Sequence, residues 1–207
     1  APNWPSGAID ARLSPYLLQA QQKWSLTPVA SAGGYPGSPF FRISIAGAQD
    51  KTALLRRRGK WYKPIGTTAT THILKPQIGR LPNGIDLSNS VENEYLCLKL
   101  LAAFGVPTAK AEMTDFGGRR TLIVERFDRW WTRDQRLLRL PQEDCCQALS
   151  VPPTRKYQSD GGPGIGSILS LLKGSDTPGA DLATFLRANI AFWLIGKVVN
   201  RFDRLRT

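Results

Sequence analysis

The segment Phe41 to Leu55 reads FRISIAGAQDKTALL, and its centre holds residue types suited to phosphate. Ala46, Gly47 and Ala48 are small enough for backbone N–H groups to approach an anion closely. Gln49 and Asp50 keep the loop polar, and Lys51 adds a cation just past it. A second lysine, Lys75, closes the stretch THILK, and Glu92 and Glu94 follow in VENEYLCLKL. Lys75 could neutralise phosphate charge while a helix carboxylate holds its ammonium in place. Each feature also has a plain alternative. An ordinary polar hairpin loop explains residues 46–51, since neither the Walker spacing nor GxGxxG is present. A strand-end lysine in solvent explains Lys75, and helix N-termini favour carboxylates such as Glu92 and Glu94 through the dipole.

These residues need elements to hold them. Phe41 to Ile45 alternates apolar and polar residues and is expected to be a half-buried strand. Thr52–Leu55 and Trp61–Tyr62 flank Arg58-Gly59-Lys60, which predicts a hairpin. Thr71–Lys75 reads as a strand stopped by Pro76. The pair Asn89 and Glu92 fits a capping-box spacing before a helix whose apolar face is Val91, Tyr95, Leu98 and Ala102, ended by Gly105. A second hairpin is expected from Ala111 through Gly117-Gly118 to Arg126. Beyond Trp131, helices are expected at Pro141–Val151, at Gly164–Lys173 and, long and mostly buried, from Asp181 to about Val199. Before all of these, Leu13–Trp24 could form a helix, and SAGGYPGSP at 31–39 reads as a linker. Strands, helix, strands and then helices make a segregated α+β layout with two lobes.

Composition sets the outer bounds. A chain of 207 residues with 42% apolar and 21% charged content can bury a core. Its 28 Lys and Arg against 16 Asp and Glu give +12, which favours phosphate-bearing or acidic partners, although a solvated basic surface explains it equally well. Cys97, Cys145 and Cys146 have no metal-ligand spacing, and with a lone His72 a structural zinc site is not expected. Reduced thiols and no visible signal peptide point to the cytoplasm. The longest apolar run, 190–196, is far short of the roughly 20 residues of a membrane helix.

The order of small-residue loop, strand lysine, helix carboxylate and a strand ending IVERF suits a protein-kinase nucleotide lobe. Taken together, FRISIAGAQDKTALL, THILKP, SVENEYLCLKL, VERFDR, RLPQEDCCQALSVPPTRKYQSDGGPGI and FWLIG closely resemble the HipA family of serine/threonine kinases, the toxins of bacterial toxin–antitoxin modules. The blocks match in order from about Asp10 to Gly196. The resemblance implies a protein-kinase-like α+β fold: residues 1–40 the remnant of an N-terminal subdomain and linker, 41–130 an antiparallel-sheet nucleotide-binding lobe, and 131–207 the start of an incomplete helical C-lobe. It makes Ala46, Gly47, Ala48, Gln49, Asp50 and Lys51 the phosphate loop, Lys75 the nucleotide-phosphate lysine and Glu94 its helix carboxylate. Glu125 and Phe127 become hinge positions whose backbone reads adenine. Ser44 matches a loop serine that is autophosphorylated, where about −1.5 to −2 of added charge would repel nucleotide. The implied cofactors are ATP and Mg²⁺. The implied partners are a DNA-binding antitoxin, DNA through that antitoxin, and an aminoacyl-tRNA synthetase as substrate.

The pattern departs at its end. Family members continue from an FWLIG-like helix into ATDGHAKN, whose aspartate is catalytic and whose asparagine binds metal. Here FWLIG is followed by KVVNRFDRLRT, and the aspartate's position is held by Val199. Asn200 and Asp203 fall in the wrong order and spacing and receive no role. An alkyl side chain at Val199 neither coordinates metal nor accepts a proton, so the expectation is a chain truncated before the catalytic loop, as a frameshift or interrupted reading frame would leave it, and inactive in phosphoryl transfer. Two other readings stay open: a non-catalytic nucleotide- or antitoxin-binding remnant, and a basic nucleic-acid-binding module.

Overall fold

The computed structural model describes residues 27–28, 51–116 and 118–196. The expected strand at 41–45, the helix at 13–24, Ser44, loop residues 46–50 and the tail with Val199 lie outside them. Among the described residues one compact unit runs to Val91 and resumes over Glu112–Leu140; the other takes Glu92–Ala111 and continues from Pro141.

The first unit carries ten short strands: β1 (Thr27–Pro28), β2 (Thr52–Arg57), β3 (Lys60–Lys63), β4 (His72–Pro76), β5 (Gly79–Arg80), β6 (Asp86–Leu87), β7 (Ala111–Phe116), β8 (Arg119–Glu125), β9 (Arg129–Trp131) and β10 (Leu137–Arg139). Six of them form one sheet in the order β1-β3-β2-β4-β8-β7. The β2–β3 hairpin forms as expected because Arg58 (φ 49°) and Gly59 (φ 77°) both take the left-handed conformation of a two-residue hairpin turn. Ala53, Leu54 and Leu55 have no exposed surface, so β2 is covered on both faces. On one face Leu54, Leu74 and Ile123 pack with Trp61 and Phe116; on the other Leu55 packs with Ala69, Leu137, Tyr62 and Trp131. Burial of each leucine stabilises by about 1.5–3 kcal/mol.

Two expectations for this unit need correction. Pro76 is the last residue of β4 rather than the first beyond it: it pairs with Thr121, and Gln77 N–H then donates to Arg120 O at 2.9 Å. Proline lacks only the donor, and its neighbour supplies the next rung. The hairpins β5–β6 and β9–β10 were not expected, and β9–β10 spans the sequence division at residue 130. Their strands of two or three residues are too short to show periodicity.

The second unit is helical. Helix α1 (Ser90–Ala103) begins at the junction with the first unit. Gly105 (φ 71°) ends it as expected, donating to Ala102 O at 3.0 Å while Val106 N–H donates to Leu101 O at 3.0 Å. This doubly bonded C-terminus also packs Leu101 against Val106. The buried face differs from the expected one. Cys97 and Leu101 join Val91 inside, whereas Tyr95, Leu98 and Ala102 line a shallow surface pocket of about 220 Å³.

Pro141–Val151 forms only one helical turn, α2 (Cys145–Ala148), and α3 (Ile165–Leu172) is shorter than the expected span. The last helix, α4 (Pro178–Leu194), starts earlier than expected, with proline in its first turn and Asp181 accepting from Ser175 Oγ at 2.6 Å. It is not mostly buried. Phe185, Ala188 and Ala191 face two small cores, while Leu186, Ile190, Trp193 and Leu194 are exposed.

Candidate functional site

Strand alternation decides where Lys75 points. Along β4, His72, Leu74 and Pro76 lie on one face, Ile73 and Lys75 on the other. The pairs Ala53–Ile73 and Thr52–Leu74 place Lys51, the next residue back, opposite Lys75. Both lysines are half-buried. Cross-strand neighbours of this kind have Cβ atoms about 5 Å apart, and like charges so placed repel. The start of β2 and the strand carrying Lys75 therefore bring two cations to one sheet face.

At the other end of β4, the exit of β8 is built by backbone and guanidinium groups together. His72 pairs with Glu125, and Arg126 N–H donates to Thr71 O at 2.9 Å. Glu125 and Phe127 are exposed, and Phe127–Asp128 makes the turn into β9. The Asp128 side chain is buried, at 4% exposure, and accepts from Arg126 Nε (3.0 Å), Arg126 Nη2 (2.7 Å) and Arg129 Nη1 (2.7 Å). Arg129 Nε reaches across to Thr70 O at 2.7 Å, and Leu140 N–H donates to Asp128 O at 3.0 Å. Asp128, through its carboxylate, its carbonyl and the Arg129 it holds, thus ties the β8 exit, the loop before β4 and the end of β10. Sequence reasoning read VERFDR for its hinge positions and missed this cluster. The available signal was an acid flanked by Arg126 and Arg129 directly after a buried strand.

Electrostatics follow from that packing. Burial pushes the Asp128 carboxyl up, but hydrogen bonds from Arg126 and the charge of Arg129 outweigh it and hold the group below the usual carboxylate range. Burial, reinforced by Arg126, lowers Arg129 to about 10 against the pull of Asp128, so it stays cationic at neutral pH. His72 is lowered, first by burial, with Arg56 acting in the same direction and Glu125 and Glu112 against it. Thr71 Oγ1 accepts from Arg56 N–H at 2.7 Å and shares a hydrogen bond of 2.8 Å with His72 Nδ1.

The other matched blocks lie in the second unit. Asp144 caps α2, accepting from Gln147 N–H at 2.8 Å while Gln147 Oε1 accepts from Asp144 N–H at 3.0 Å. Gly162 sits where a Cβ would lie 2.3 Å from Arg155 O and 2.7 Å from Tyr157 O, so the YQSDGG turn closes only around glycine. Glu94 lies half-buried on α1. Among the described residues no group of three or more His, Cys, Asp or Glu side chains gathers to hold a metal ion. No helix among them is long and apolar enough to cross a membrane.

Comparison with known proteins agrees with this geometry. The family described as "HipA-like C-terminal domain" matches residues 43–198. A Sinorhizobium fredii protein named as a kinase, Y4mE, is 41% identical over 161 residues, covering 77% of this chain and 37% of that protein. The serine/threonine-protein kinase toxin HipA of Shewanella oneidensis is 33% identical over 167 residues, covering 77% of this chain and 36% of the toxin. Among solved structures, the Shewanella oneidensis complex of HipA, HipB and operator DNA superimposes with a TM-score of 0.61 at 27% identity, over 88% of this chain and 43% of that chain. The chain thus spans well under half the length of these relatives. It belongs to the HipA-like family and shares its protein-kinase-like α+β fold.

Proposed function

We propose that residues 46–51, Lys75, Glu125 and Phe127 form the ATP site of a HipA-like serine/threonine kinase lobe. The observation that carries the reading is the Thr52–Leu74 register, which continued by one residue sets Lys51 across from Lys75 on one sheet face. Two lysines on neighbouring strands suit a polyphosphate, which would accept charge-assisted hydrogen bonds from both. The backbone of Glu125 and Phe127 is proposed to read the adenine edge. None of the described residues is given a metal-binding role.

By family, the acceptor of the whole enzyme is a protein serine, on an aminoacyl-tRNA synthetase or at Ser44 itself, and the partner is a DNA-binding antitoxin like the HipB of the Shewanella complex. In this chain Val199 stands at the position expected for the catalytic aspartate. The proposal is therefore nucleotide binding without phosphoryl transfer. The test measures ATP affinity and labelling of Ser44 from γ-labelled ATP, for this chain and for Lys75→Ala. ATP binding weakened at least tenfold by Lys75→Ala, with no labelling, supports the reading. Labelling that depends on Lys75 refutes the inactivity. Salt-sensitive DNA binding without ATP binding would favour a basic nucleic-acid module instead.

A further inference from the structure

We infer that Asp128 is a positioning residue for adenine recognition, acting through the backbone of Glu125–Phe127 and without touching nucleotide. The inference rests on the hinge reading proposed above. Asp128 has 3% of its surface exposed, and three guanidinium N–H groups occupy its carboxylate. It is therefore closed off from a ligand. What it does hold is the turn on which the two hinge residues stand. Arg126 lies between Glu125 and Phe127, and its guanidinium is drawn in toward Asp128 by bonds of 3.0 and 2.7 Å. The backbone N–H of the same residue is bound to Thr71 O at 2.9 Å. A residue fixed at both backbone and side chain leaves its neighbours little rotation about φ and ψ.

The anchor at the far side is equally fixed. Arg129 Nη1 bonds the Asp128 carboxylate at 2.7 Å and the Asp128 carbonyl at 2.8 Å, while its Nε bonds Thr70 O at 2.7 Å. Arg126 Nη1 approaches Thr70 Oγ1 at 3.5 Å. The loop before β4 and the turn after β8 are thereby locked in one register by a planar fork that lysine cannot reproduce. Adenine recognition depends on a peptide edge aimed within a few tenths of an ångström, whereas the lysines bind phosphate as point charges that tolerate such movement. Loosening this cluster should consequently separate the two halves of the ligand.

The experiment titrates the full chain, and its Asp128→Asn, Arg129→Lys and Lys75→Ala variants, with ATP and separately with inorganic tripolyphosphate. Circular dichroism and thermal melting report folding. Asp128→Asn and Arg129→Lys are expected to weaken ATP at least tenfold and leave tripolyphosphate within twofold of the parent, whereas Lys75→Ala weakens both. Equal weakening of both ligands, or unchanged ATP affinity in a parent that binds ATP, overturns the positioning role alone. Loss of cooperative melting in both Asp128→Asn and Arg129→Lys assigns the cluster to stability and also overturns it. A parent chain that binds neither ligand overturns the nucleotide reading itself.

Discussion

His72 cannot take up a proton in the fold as readily as it does in the unfolded chain. Burial disfavours the imidazolium, and the charge of Arg56 acts in the same direction. Its pKa is therefore lowered from about 6.5. A folded state that binds fewer protons than the unfolded one gains stability as pH rises and loses it as pH falls below the unfolded value. Urea melts should show stability falling from pH 7 toward pH 5, and His72→Gln should flatten that part of the slope; an unchanged slope would exclude His72 as its source. Asp128 supplies a second expectation. Removing one partner of a buried charge cluster costs about 3–5 kcal/mol, because the charges left behind stay buried without compensation. Asp128→Ala should lose that much by chemical denaturation, and a loss below 1 kcal/mol would mean that water reaches Arg126 and Arg129. Neither residue could be ranked from sequence. A lone histidine and an RFDR string are common on surfaces, and only tertiary packing buries them.

Local chemistry was legible in the sequence where a single residue settles the backbone. Gly59 and Gly105 are placed where left-handed conformations are required, and the β2–β3 hairpin and the end of α1 formed around them. Faces were less legible. Tyr95 is larger than Cys97, yet Cys97 is buried and Tyr95 lines a surface pocket, because the geometry of the neighbouring packing and not side-chain size selects the inward stripe. Two glycines separate strain from crowding. At Gly105 an added Cβ would meet nothing closer than Arg187 Nη1 at 3.7 Å, so Gly105→Ala should cost only the left-handed penalty of about 1–2 kcal/mol. Gly162→Ala should cost more, since its Cβ would collide with the Arg155 and Tyr157 carbonyls. Thermal melts of the two variants check the order, and an equal loss would mean the turn at 155–162 yields freely.

For the whole molecule, two opposing terms govern association. The chain carries +12, so copies repel each other over about 10 Å at 0.1 M salt. Against this, α4 turns Leu186, Ile190, Trp193 and Leu194 to solvent, with Trp193 79% exposed and Ile190 60% exposed. Sequence reasoning took the apolar density of this helix for burial, because composition says how much apolar surface a helix has and not how much of it finds a neighbour. A stripe of this kind favours contact between apolar surfaces. Added salt screens the charge repulsion and leaves the apolar attraction in place, so self-association should rise with salt. This is the opposite of what contacts held by opposite charges would do. Light scattering from 0.05 to 0.5 M NaCl should show the mean mass of the parent increasing. Ile190→Glu combined with Trp193→Glu should abolish the increase with little effect on folding, since neither side chain contributes to the cores around Phe185, Ala188 and Ala191. A mass that falls with salt, or that the double substitution leaves unchanged, would move the association surface away from α4 and onto the charged faces of the chain.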